Sequence, residues 1–168
     1  TVLDTESFTT VPNTSMNLLF NDYIYLAGDY SNPYRLYFCQ PGYPHYYNSA
    51  LNFLDFDVAI TGLMKLPNGI LIFERYKTWF MAGTTPYNFA PRILIDAKKG
   101  VRCQEALCYY SENIVAGLGE HGLFFADGSV LTPMSDLVNS GLLTKNLASA
   151  TLQYDAFNRR LICVVAEN

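Results

Sequence analysis

No apolar run in this chain approaches the ~18 residues that a bilayer-spanning helix needs, so no membrane span is expected. Charge is scarce as well: Lys and Arg number 11 against 15 Asp and Glu, for a net charge of −4. A broad nucleic-acid footprint requires clustered cations, and this deficit argues against one. Metal-binding spacing is also missing. None of Cys39, Cys103, Cys108 and Cys163 forms a Cys-x-x-Cys pair, and His45 and His121 stand at no metal-like spacing from them. No metal and no other cofactor is therefore expected. The chain has neither an initiator Met nor a signal-like start, and its opening Thr1 reads as a processed or trimmed product.

What the sequence has in plenty is apolar and aromatic. Half of its 168 residues are hydrophobic, with 13 Tyr and 11 Phe, enough to bury a large core and to argue against disorder. The length suits one domain or a piece of a larger one. Three of the four cysteines lie among apolar or aromatic neighbours, as in Leu36-Tyr-Phe-Cys39 and Leu161-Ile-Cys163-Val, and the set reads as buried, reduced thiols of a product assembled in a reducing cytosol.

Short strands dominate the reading. Ile70 to Phe73 is a continuous apolar run, too short for a helix and rich in β-branched and aromatic residues, so it reads as a buried strand. Pro67-Asn68-Gly69 is the turn before it, and Thr78 to Ala82, with Trp79, is the next strand. Further strands are expected at Tyr23–Leu26, Tyr34–Cys39, Asp55–Thr61, Arg92–Asp96, Gln104–Tyr110 and Ile114–Leu118. Asp127-Gly128 between Gly122–Ala126 and Ser129–Thr132 predicts a hairpin, and Leu147–Tyr154 with Arg160–Ala166 predicts another. Thr132 to Gly141 is the one helix candidate: Thr132 can cap it, Pro133 suits its first position and Gly141 can end it.

A repeat runs through these strands. Asn21, Asn68, Asn113 and Asn158 each precede or open one, at spacings of 47, 45 and 45 residues. A period near 45 with about four short strands per unit is the signature of propeller blades, each a meander that stacks on its neighbours to bury its faces. The expected fold is all-β: a β-propeller-like array of antiparallel four-stranded meanders, about three and a half blades and part of a larger propeller, with one short helix. Residues 1–16 read as an arm or edge strand, and blade-like units fall near 17–60, 61–104, 105–145 and 146–168. A single β-sandwich is the competing architecture.

The run from Tyr37 through Gln40-Pro41-Gly42-Tyr43-Pro44-His45-Tyr46-Tyr47-Asn48 belongs to a longer pattern of turns and aromatics. It continues in Phe53-Leu-Asp-Phe56, Ile60-Thr-Gly-Leu63, Leu71-Ile-Phe73, Trp79 and Gly83-Thr-Thr-Pro86-Tyr-Asn-Phe89, then in Gly100-Val-Arg-Cys103 and Gly122-Leu-Phe-Phe-Ala-Asp-Gly128. Over roughly residues 34 to 132 the pattern resembles the propeller-type tail proteins of tailed bacteriophages. These include the hub or nozzle proteins of short-tailed phages, among them packaged-DNA stabilisation proteins. The resemblance implies a non-enzymatic structural part of the virion tail, assembled in the host bacterial cytoplasm. Such a part sits in a ring below the portal, binds other tail proteins and copies of itself, and helps retain packaged DNA. Contact with DNA would then be indirect, through a narrow channel rather than a basic face.

Candidate chemistry is thin. Asp55 and Asp57 alternate with apolar neighbours and would share one face of a strand, as paired carboxylates for glycosidic acid/base work do; solvent-facing or turn-capping carboxylates look the same in sequence. Cys103 or Cys108 with His121 could form a nucleophile and base, yet no oxyanion-hole motif accompanies them. Gly117-Leu-Gly119-Glu-His-Gly122 resembles a phosphate loop but lacks the Lys and the following helix. No catalytic residues are assigned. The loop from Gln40 to Asn52 is the candidate interface, through Tyr43, His45, Tyr46 and Tyr47, because tyrosine combines contact area, low entropy cost and a polar tip. Exposed rings also stack on sugars, so a carbohydrate-binding β-domain acting in host attachment is the alternative function. Internal packing of the same rings is the third reading.

Overall fold

A computed structural model describes residues 11–48, 50–89, 93–134 and 146–166. The fold is all-β and propeller-like, a series of antiparallel four-stranded meanders. Among the described residues the only helical element is a single 3-10 turn at Gln104–Ala106, and no helix is long and apolar enough to cross a membrane. Contacts divide the chain into two units, Thr1–Ile60 and Thr61–Asn168.

In the first unit β1 (Met16–Phe20), β2 (Tyr23–Ala27), β3 (Arg35–Phe38) and β4 (Phe53–Asp55) lie in chain order. Asn21 and Asp22 join β1 to β2 with φ of 46° and 65°, the left-handed pair whose twist suits a two-residue hairpin. Tyr25, Leu36 and Tyr47 are almost wholly buried in this unit. The Tyr37 hydroxyl donates to Asp29 over 2.8 Å, tying β3 to the loop that follows β2.

The second unit holds two more meanders and a hairpin. β5 (Ile60–Leu66), β6 (Gly69–Glu74), β7 (Thr78–Ala82) and β8 (Ile93–Asp96) form one sheet; β9 (Leu107–Ser111), β10 (Ile114–Gly119), β11 (Gly122–Ala126) and β12 (Leu131–Pro133) form the next. β13 (Asn146–Asp155) pairs with β14 (Arg160–Ala166). β6 is buried along its whole length, as its apolar run requires, and each of Ile70, Leu71, Ile72 and Phe73 contributes about 1.5–3 kcal/mol by leaving water. The two sheets and the hairpin share one core in which Leu71, Phe73 and Phe80 meet Leu118 and Phe124, and Leu147, Ala150 and Leu152 extend it. The Phe73 and Phe124 rings lie 6.2 Å apart across the two sheets.

The asparagine period marks one recurring place. Asn21, Asn68, Asn113 and Asn158 all sit in the turn between the first and second strands of their sheet. Asn tolerates the tight backbone of such turns and its side chain can bond to neighbouring backbone, which is why the same residue recurs there.

Four expectations change. Asp55–Thr61 is not one strand: β4 ends at Asp55 and β5 begins at Ile60, because the intervening chain bonds back, Phe56 N–H to the Tyr34 carbonyl and Ile60 N–H to the Pro33 carbonyl. Gln104 to Ala106 is a 3-10 turn, and the strand starts only at Leu107. The hairpin after Ala126 has a four-residue loop, since Asp127 Oδ1 accepts from the N–H groups of Ser129 and Val130 and holds both off the ladder. Thr132 and Pro133 belong to β12, opposite Phe125 and Phe124; the remainder of the expected helix, from residue 135, lies outside the described residues. Residues 1–10 of the expected arm lie outside them as well.

Candidate functional site

The aromatic loop begins with a tight turn. Pro41 presets the backbone, Gly42 takes φ +75°, and Tyr43 N–H donates to the Gln40 carbonyl at 3.0 Å, the pattern of a type II turn. Tyr46 N–H then bonds the Tyr43 carbonyl and Gln40 N–H bonds the Tyr46 carbonyl, both at 3.0 Å. Asn48 receives the N–H groups of Leu51 and Asn52 on its carbonyl and that of Ala50 on its side chain. The loop is therefore braced by its own backbone.

That bracing separates the four candidate residues. Tyr43 is 56% exposed, and His45, also exposed, meets it edge-on with ring centres 6.4 Å apart. Tyr46 is half-buried. Tyr47 is only 2% exposed, and burial pushes its phenol up to about 12. Two of the four rings thus face outward, and no cleft of three exposed tyrosines forms.

The other candidates have structural partners. Asp55 is held by Arg35 across the β3–β4 ladder, with Arg35 Nε 2.8 Å from Oδ1, and the guanidinium lies 3.7 Å from the centre of the Phe53 ring. Asp57 lies past the end of β4. The Gly117–Gly122 stretch is the end of β10, a turn and the start of β11 rather than a loop before a helix. All four cysteines are free thiols. Cys103 donates to the Ala150 carbonyl at 3.4 Å, and burial raises its pKa; burial pushes Cys108 up to about 11. A nucleophilic cysteine needs the opposite shift. Burial keeps the Cys108 thiol protonated at pH 8, so iodoacetamide should modify it more slowly in the folded than in the urea-unfolded protein, as peptide mass mapping over time will show. Equal rates in the two states would show that the fold does not shield this half-buried thiol. Among the described residues, no group of three His, Cys, Asp or Glu could hold a metal ion.

Sequence reasoning missed the polar residues that join the sheets. Gln104 faces the free edge of β5: its Oε1 accepts from Leu63 N–H at 2.7 Å and its Nε2 donates to the Leu63 carbonyl at 3.0 Å. Tyr109 OH accepts from Lys65 N–H at 3.2 Å on the same strand. An edge strand is thereby closed by side chains of the following sheet. Glu120, in the β10–β11 turn, takes both Arg75 Nε and Arg102 Nε, at 2.9 and 2.7 Å. Burial works against its charge, but the bonds from Arg75 and Arg102 outweigh it and hold the carboxyl below its usual range. Nothing in the sequence links Gln104 to Leu63 or Glu120 to Arg75, since each pair is more than 40 residues apart.

The class of protein defined so far is an all-β chain of serial four-stranded meanders whose inter-sheet polar groups serve cohesion. Comparison with protein-family models and with curated proteins gives no match.

Proposed function

We propose that this chain is a structural component of a bacteriophage tail, part of a hub or nozzle ring that binds other tail proteins and copies of itself. The observation that carries the reading is Tyr43, a large ring 56% exposed and mounted on a loop whose backbone is internally bonded. A rigid, exposed aromatic anchor is what a protein interface requires, because little entropy is lost on docking. The resemblance of residues 34–132 to phage tail propellers supplies the kind of partner. In this role the chain catalyses nothing, is assembled in the host cytoplasm and resides in the virion. It helps retain packaged DNA indirectly by narrowing a channel, a role compatible with a net charge of −4.

Native mass spectrometry of the chain, alone and with candidate tail proteins, tests the proposal. A high-order assembly or stoichiometric complex is expected. Tyr43→Ala should weaken that association ~10-fold or more while leaving the unfolding midpoint unchanged. A stable monomer that ignores those partners would overturn the reading. Glycan-array binding that depends on Tyr43 would then favour the carbohydrate-binding alternative.

A further inference from the structure

A second feature of the surface has no part in that proposal. A cavity of about 570 Å³ opens between three turns of the second unit and is lined by Leu66, Pro67, Asn68, Asn113, Ile114 and Asp127. Asn68 and Asn113 are repeat-related: each lies in the turn between the first and second strands of its sheet, which brings two identical amides to one cleft. Neither side chain makes a hydrogen bond among the described residues, so each offers one acceptor oxygen and two donor hydrogens.

Asp127 comes from the β11–β12 loop and is fixed in place. Its Oδ1 accepts from Ser129 N–H at 2.8 Å, Ser129 Oγ at 2.9 Å and Val130 N–H at 2.9 Å, while its Oδ2 has no partner among the described residues. Those bonds keep its carboxyl below the usual range and therefore charged at neutral pH. The adjacent Gly128 packs close against β5 and β7: a Cβ there would stand 3.0 Å from Leu66 Cδ1 and 3.1 Å from the Phe80 ring. The remaining wall, Leu66, Pro67 and Ile114, is apolar.

We propose that this cleft binds a neutral saccharide. Planar amide and carboxylate groups pair with vicinal hydroxyls as combined donors and acceptors, and the apolar wall suits the C–H face of a pyranose ring. The volume falls within the range of small-molecule sites, about 300–1,000 Å³, and fits one or two sugar rings. No cation lines the cleft, so Asp127 repels an anionic ligand. The site depends on neither the tyrosine loop nor the tail reading.

The test is an NMR titration of the intact labelled chain with glucose, galactose, mannose and N-acetylglucosamine. Each is added to ~50 mM, which detects millimolar binding. Glucuronate and glucosamine serve as charged probes. At least one neutral sugar is expected to shift the side-chain amides of both Asn68 and Asn113 saturably. Asn113→Ala should weaken that binding ~5-fold and Asp127→Asn ~10-fold or more. The latter keeps the Oδ1 acceptor that holds the loop, and unchanged backbone spectra will show that both variants are folded. The proposal is overturned by no saturable shift with any neutral sugar, by binding that both variants leave intact, by shifts confined to the Tyr43 loop, or by preference for either charged probe.

Discussion

Gly119→Ala should cost about 3 kcal/mol or more, seen as a large fall in the urea midpoint or as failure to accumulate folded protein. Gly119 ends β10, and a Cβ placed there would run into the carbonyl oxygen of Gly100, far inside van der Waals contact. The obstacle is backbone, so no rotamer change relieves it. Gly100 is itself packed against backbone: a Cβ at its position would collide with the Glu74 carbonyl, the group that accepts Val101 N–H at 3.1 Å. Three backbone segments are thus stacked in contact where the second meander meets the third. Gly42→Ala separates steric from conformational cost: Gly42 has φ +75° but nothing within 4 Å of a Cβ, so that change should cost only about 1 kcal/mol. If Gly119→Ala matched the wild type within ~0.5 kcal/mol, the close approach of the two sheets would be refuted.

Phe73→Ala is expected to destabilise by about 3–5 kcal/mol, because a fully buried ring leaves a cavity that the surrounding strands can only partly fill. Phe73 lies on β6, buried throughout its length, and its ring abuts Phe124 of the next sheet. Phe124→Ala should cost a similar amount. The double variant should lose less than the sum by ~1 kcal/mol, the mark of two rings that touch. Urea unfolding of the four proteins gives the coupling directly, and strict additivity would mean that the sheets do not meet through these rings. Phe157→Ala is the surface comparison: at 94% exposure that ring should matter by less than ~0.5 kcal/mol.

Much of the architecture is legible in the sequence. Ile70–Phe73 reads as a buried strand, since the run is too short for a helix and rich in β-branched and aromatic residues, and β6 is that strand. The asparagine spacing marked the first turn of each sheet because tight hairpins admit few residue types. Where two local signals compete, tertiary pairing decides between them. Thr132-Pro133 carries a good helix start, yet the pairing of Thr132 with Phe125 keeps it extended, and Pro133, at the end of a sheet-edge strand, has no ladder N–H to lose. At Gln104 a residue expected to begin a strand is turned into a short helical turn, from which its amide reaches the β5 edge.

The strand-rich class, the period of the meanders and most of the turns follow from side-chain alternation and backbone sterics over a few residues, and so are written in the chain itself. Which tyrosines face outward, with Tyr43 exposed and Tyr47 buried four residues later, and which polar groups join the sheets depend on how distant segments pack. A tyrosine gains by burying its ring and gains by keeping its hydroxyl in water, so its place is fixed only when the loop closes on itself. Gln104, likewise, acquires a role only when a strand 41 residues away comes within a hydrogen bond of it, and Glu120 only when Arg75 and Arg102, 45 and 18 residues away, converge on it.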